Sequence, residues 1–242
     1  MNGVTLVIPA RYASSRLPGK PLLQIAGKPM IQQVYERALS VKNAGRVLVA
    51  ADDERVELAV KSFGGEVVMT SPDHASGTDR LAEVMLSSPA DLYVNLQGDE
   101  PLVRPGDVEI LIEGMLADPA VAIGTLCHPI DEEEAENPNT VKVVLAANGD
   151  ALYFSRAKIP YPRENDGEGR YLKHVGVYAY RKTTLEDYGK LPQPMLERTE
   201  KLEQLRFLHA GYKIRAWQVE PTGPGVDTPE CLEKVRLIFA NR

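Results

Sequence analysis

Four short apolar runs alternate with helical periodicities over the first 116 residues, and this alternation constrains the fold more than any other feature of the sequence. The runs fall at residues 4–8, 46–50, 66–69 and 92–96. Between them, Ile31, Val34 and Ala38 recur at helical spacing after Pro29, as do Val56, Val60 and Phe63 after Asp52, and Leu81, Val84 and Met85. A further helix is expected over 107–116. Strands alternating with helices of this length predict a mostly parallel, doubly wound α/β sheet of Rossmann-like type, with helices on both faces. Asp52 is expected to cap the second helix.

The pattern changes near residue 127. Two strand-like runs flank Asn148-Gly149-Asp150, a strong hairpin signal. "HVGVYAYR" alternates as an antiparallel strand does. Residues 158–170 read as a mobile loop rich in proline, glycine and charge, followed by a helix at about 196–209 and a strand at 212–219. The last helix begins near Pro229 and buries Leu232, Val235 and Phe239. The 242 residues are expected to form a single domain in which about 128–220 is a β-rich insertion.

Charge narrows the function. With 28 basic and 34 acidic residues the net charge is -6, which argues against a nucleic-acid binder. Any anion site must therefore be a local basic pocket. No apolar run approaches the length of a membrane span, and no secretory segment is expected at the N-terminus. Cys127 and Cys231, far apart and outside any CxxC pattern, are expected to be reduced, buried thiols of a cytoplasmic protein. The four histidines show no zinc-like spacing.

"TLVIPARYASSRLPGKPL" (5–22) places Arg11, Arg16 and Lys20 in a loop directly after the first buried strand. Such a loop lies at the carboxyl edge of the sheet, where open α/β folds bind ligands. Gly19 and its small neighbours let backbone N–H groups approach an anion. Arg16 offers a planar fork for phosphate oxygens and Lys20 a point charge. The loop is neither a Walker A sequence nor the glycine fingerprint of NAD-binding modules. "VNLQGDEPL" ends the fourth strand with Asp99, a hard oxygen ligand for Mg²⁺ or simply a turn residue. "GVDTPECLE" offers Asp227 as a second ligand, or Asp227 or Thr228 as the cap of the last helix, with Glu230 completing a box. Spacing alone leaves these alternatives open.

Taken in order, "IPARYASSRLPGKPL", "DHASGTDRLAEV", "VNLQGDEPL", "NPNTVKVVL", "ALYFSRAKIP", "KHVGVYAYR", "LEQLR" and "GVDTPECLE" resemble the 3-deoxy-manno-octulosonate cytidylyltransferases over nearly the whole chain. The resemblance implies transfer of CMP from CTP to an octulosonate sugar acid with release of pyrophosphate, Mg²⁺ as cofactor, a homodimer made through the β-rich region, and a cytoplasmic place in lipopolysaccharide synthesis. It implies that Arg16 and Lys20 hold the triphosphate and that Asp99 and Asp227 hold the metal. Ala10 and Arg11 would approach the cytosine, and Ser76, Gly77 and Arg80 would form the base and ribose pocket. Gln97, Arg156, His174, Tyr178, Glu203 and Gln204 would line the sugar-acid site, with Arg156 pairing the acid's carboxylate. Tyr161 stands where the family often carries tryptophan, so the acceptor is expected to be the octulosonate or an amino-substituted variant. The alternatives are a sugar-phosphate or alcohol-phosphate nucleotidyltransferase and a non-catalytic CTP sensor on the same fold.

Overall fold

The computed structural model describes residues 3–13, 17–74, 76–164 and 171–241. The chain runs β1 (Val4–Ala10), a two-residue ladder β2 (Gln24–Ile25) with β3 (Lys28–Pro29), α1 (Met30–Leu39), β4 (Arg46–Ala51), α2 (Glu54–Ser62), β5 (Val67–Met69), α3 (Gly77–Ser87), β6 (Leu92–Asn95) and α4 (Pro105–Ala117). It continues through β7 (Ile123–Ile130), α5 (Glu132–Glu136), β8 (Lys142–Leu145), β9 (Ala151–Ser155), β10 (Tyr171–Arg181), α6 (Lys182–Tyr188), α7 (Met195–Glu200), α8 (Gln204–His209), β11 (Ile214–Gln218) and α9 (Pro229–Ala240).

Among the described residues all strands except the β2–β3 ladder form one sheet in the order β11-β7-β10-β6-β1-β4-β5, with the β8–β9 hairpin attached to β10. β1 pairs in parallel with β4 and β6, while β10 is antiparallel to β6 and β7. The sheet is therefore mixed. The β-rich stretch after residue 122 extends the main sheet rather than building a second one, because the long strand β10 inserts beside β6. Only the β8–β9 hairpin, turned at Gly149 with φ +84°, leaves the main strand order.

β1 shows why both faces are covered. Leu6 and Ile8 point into a core with α1, α2 and α4, and Val7 points into one with α3, α6 and α8. Each such side chain, taken fully out of water, contributes about 1.5–3 kcal/mol. A third cluster joins Leu17, Ile25 and Met30 to Leu102, Val226, Leu232 and Val235, so α9 and its approach are packed beside the first loop.

Three local expectations need correction. The cap of α2 is Asp53, which accepts from Arg55 N at 2.9 Å; Asp52 is turned elsewhere. The helix expected over 196–209 is two short helices, because Lys201 between them adopts φ +54° and no helix continues through a left-handed residue. Cys127 is buried as expected, but Cys231 is only partly buried in the first turn of α9. Within the loop expected over 158–170, residues 165–170 lie outside the described residues.

Candidate active site

The carboxyl ends of β1 and β6 open into a cavity of about 560 Å³. Ala10, Arg11 and Lys20 line it from the first loop, Ser76 and Gly77 from the start of α3, Gln97 and Asp99 from the turn after β6, and Glu203 and Asp227 from the C-terminal third. Arg16, the other loop cation, lies outside the described residues.

Asp99 and Asp227 are brought together by backbone as well as by side chains. Val226 N donates to Asp99 O at 2.9 Å. Lys20 Nζ then lies 2.6 Å from Asp99 Oδ2 and 3.3 Å from Asp227 Oδ1. The helix α9 does not use Asp227 as its cap: Thr228 Oγ1 accepts from Cys231 N at 3.3 Å. Burial, followed by the charge of Asp99, pushes the neighbouring Glu100 carboxyl up to about 8. A Cβ on the neighbouring Gly225 would stand 2.9 Å from Glu100 Oε1, so a larger residue there would have to push the Glu100 carboxyl aside.

The first loop is held from outside the cavity. Gly19, with φ +66°, donates its N–H to Tyr12 O at 3.1 Å and closes the loop on itself. Tyr12 N donates to Asp52 Oδ1 at 2.9 Å, and the Arg55 guanidinium lies 3.5 Å over the Tyr12 ring centroid. Asp52 Oδ2 accepts from Arg80 Nη2 at 3.0 Å, and Arg80 Nη1 also donates to Thr70 Oγ1. Arg80 is fully buried and is not among the residues lining this cavity. It reaches the loop through Asp52.

The Ser76 hydroxyl is engaged in a capping box with Asp79, accepting from Asp79 N at 3.0 Å. The box fixes the start of α3, and with it Gly77, against the cavity.

A second cavity of about 240 Å³ adjoins the first and shares Gly77, Gln97 and Glu203 with it. His174, Tyr178 and Gln204 line it. A bulge in β10 between Val175 and Tyr178 creates this wall, and Thr125 Oγ1 lies 3.2 and 2.8 Å from the displaced carbonyl oxygens of Val175 and Val177, with one hydroxyl proton to donate between them. The bulge sets the rings of His174 and Tyr178 5.1 Å apart. Burial drives the His174 imidazole down to about 3, so it is neutral at physiological pH. Burial raises the Glu203 carboxyl, and the hydrogen bond from Thr78 Oγ1 at 3.0 Å opposes that rise.

Arg156 is not among the residues lining either cavity. Its Nε donates to Glu200 O at 2.7 Å and its Nη1 to Pro138 O at 3.0 Å, which supports the turn leading to Glu203 and Gln204. Asp52, Thr78 and Asn95 were not singled out as site residues from the sequence. A signal existed for Asn95, a polar residue inside a strand buried on both faces.

The cytidylyltransferase family model matches residues 5–214. The chain is 61% identical over 240 residues to the 3-deoxy-manno-octulosonate cytidylyltransferase of Escherichia coli, covering 99% of this chain and 97% of that one. The chain belongs to the 3-deoxy-manno-octulosonate cytidylyltransferase family. The enzyme of that name from Syntrophotalea carbinolica is 51% identical, covering 96% of each chain. A solved structure of a CMP:2-keto-3-deoxy-manno-octonic acid synthetase complexed with CTP superposes with a TM-score of 0.97 at 61% identity, covering 99% of both chains. A cytidylyltransferase from Leptospira borgpetersenii, at 17% identity and a TM-score of 0.69, shares the fold. In this family frame the first cavity is the larger and more highly charged of the two, and the second is smaller and lined mostly by polar side chains, with Lys201 and Glu203 as its charged residues.

Proposed function

We propose that this chain transfers CMP from CTP to the anomeric hydroxyl of a 3-deoxy-manno-octulosonate-type sugar acid, releasing pyrophosphate. One observation carries this reading: Lys20, Asp99 and Asp227 converge at one end of a nucleotide-sized cavity that adjoins a second one, lined mostly by polar side chains with Lys201 and Glu203.

The donor set at that end fits Mg²⁺. It presents hard carboxylate oxygens from two residues, and a cation, the Lys20 ammonium, already lies between them. Asp99 and Asp227 would hold the ion, which supplies neutralisation of the phosphate charge when bound.

The chain's own residues do the positioning. Arg11 and Lys20 face the first cavity and attract the triphosphate. The acceptor's hydroxyl attacks the α-phosphorus in line, a P–O bond forms, the bond to pyrophosphate breaks, and the hydroxyl's proton passes to water. Lys20 stabilises the negative charge that grows on the leaving pyrophosphate. Arg16 joins it on the strength of the family motif. Gln97 and Glu203 stand where the cavities meet, and His174, Tyr178 and Gln204 enclose the acid. Arg80 and Arg156 act one step back, the first on the loop through Asp52 and the second on the turn before Glu203.

The same membership supports a homodimer and a role in lipopolysaccharide synthesis. Among the described residues no helix is long and apolar enough to cross a membrane. Tyr161 is 85% exposed and lines neither cavity, so it favours neither the octulosonate nor its amino-substituted variant.

The test is pyrophosphate release with Mg²⁺ across four nucleoside triphosphates and a panel of octulosonates, nonulosonates and sugar phosphates. Release with CTP and octulosonates is expected. Release with sugar phosphates instead, or CTP binding without release for any acid, would point to the other transferase or to the sensor.

A further inference from the structure

Asn95 is the last residue of β6 and is 2% exposed in a strand otherwise made of apolar and aromatic side chains. Its Oδ1 has no hydrogen-bond partner among the described residues. A buried polar atom left unmatched is costly, and folded proteins leave few of them. Two more such atoms, the Tyr178 hydroxyl and Gln204 Nε2, belong to residues lining the same second cavity as Asn95.

The placement follows from strand register. Asn95 pairs directly with Tyr178 across the antiparallel β6–β10 ladder, so both side chains leave the same face of the sheet. Asn95 is in contact range of Gly77, which lines both cavities: its Nδ2 lies 3.5 Å from where a Cβ on Gly77 would stand.

The chemistry of the three groups selects a ligand class. A carboxamide accepts and donates, a phenol does both, and the Gln204 amide nitrogen donates. Uncharged groups of this kind match hydroxyls, each of which both donates and accepts. We infer that Asn95 is a specificity-determining residue of the acceptor cavity, reading one hydroxyl of the polyhydroxy acid alongside Tyr178 and Gln204. This rests on the reading that the second cavity takes the sugar acid.

The experiment measures kcat/KM for the octulosonate and for a set of monodeoxy analogues, each lacking one hydroxyl. The enzymes compared are the full chain, Asn95→Ala, Asn95→Leu and Gln204→Ala. The wild type should reject one analogue by about tenfold or more, because its absent hydroxyl strands buried polar groups. Asn95→Ala and Asn95→Leu should lose about tenfold on the full acid, accept that analogue as well as the full acid, and keep the KM for CTP within about twofold. Asn95→Ala only removes atoms, and so gives the same readout if Asn95→Leu is too tight to fold. Retention of the wild-type pattern of rejection in both variants, or a loss that falls on the KM for CTP, would overturn the inference. Gln204→Ala separates the two levels. If it weakens use of the acid while the Asn95 variants do not, the role of Asn95 fails alone. If none of the variants affects the acid, the cavity assignment fails with it.

Discussion

The ammonium of Lys20 lies 2.6 Å from Asp99 Oδ2, across 79 positions of sequence. It lies 3.3 Å from Asp227 Oδ1, across 207. One loop cation thus gathers two carboxylates that would otherwise repel each other. In the proposed reaction Asp99 and Asp227 would hold a divalent ion that neutralises their charge, and Lys20 would face the phosphates.

Replacing Lys20 by Met removes the cation that, on the proposed reading, competes with the metal. Turnover should fall about 10²- to 10³-fold, the usual cost of one lost transition-state contact. The melting temperature should respond more strongly to Mg²⁺ in Lys20→Met than in the wild type, because the exposed acid pair binds the ion without displacing an ammonium. A thermal titration with Mg²⁺ measures this, and equal shifts in the two proteins would contradict the exchange.

The Asp52–Arg80 pair is nearly dry, with side-chain exposures of 7% and 0%. Asp52→Ala leaves a buried guanidinium uncompensated and should cost about 3–5 kcal/mol of stability. It also releases the Tyr12 amide, so the KM for CTP should rise even at temperatures where the variant is folded. Denaturant unfolding and steady-state kinetics read the two effects separately. A stability loss with unchanged CTP kinetics would show that the pair does not position the loop.

His174 provides a pH signature. Its folded pKa of about 3 lies below its ordinary 6.5, because burial disfavours the charged ring. The unfolded chain therefore binds a proton that the folded chain refuses, and stability falls as pH drops through the window from about 6.5 to about 3. His174→Gln should lose less melting temperature between about pH 7 and about pH 5 than the wild type does. Its rings stand near Phe154 and Tyr178, both 5.1 Å away between centroids, so circular dichroism in the near ultraviolet can check that packing survives.

Much of this arrangement was legible in the sequence, and the limits were physical. The strand–helix alternation placed Lys20 and Asp99 at one sheet edge, because loops after parallel strands share that edge. Period-two alternation in 174–181 identified an antiparallel strand. It could not reveal that the strand inserts beside β6, since pairing partners are set by long-range packing. The choice between Asp227 and Thr228 as the α9 cap was open in sequence, because both residue types cap helices well. Asp52 was read as a cap because its own neighbour, Asp53, carries the same chemistry one position on. The family resemblance made Arg80 and Arg156 substrate contacts, and the sequence could not show that Asp52, Thr70 and backbone carbonyls engage them in the folded chain. Asn95 carried a signal as a polar residue inside a strand buried on both faces, but that its Oδ1 lacks a partner among the described residues, beside Tyr178 and Gln204, is a three-dimensional fact that no linear pattern displays.

The most direct measurement compares Asp227→Asn with Thr228→Ala, two neighbours at the entrance to α9. Melting temperature and pyrophosphate release with CTP, Mg²⁺ and an octulosonate are read on both. Asp227→Asn should melt as the wild type does and lose about 10²- to 10³-fold in turnover. Thr228→Ala should lose about 0.5–2 kcal/mol of stability and keep turnover within a few-fold. Near-normal turnover in a folded Asp227→Asn would contradict the account.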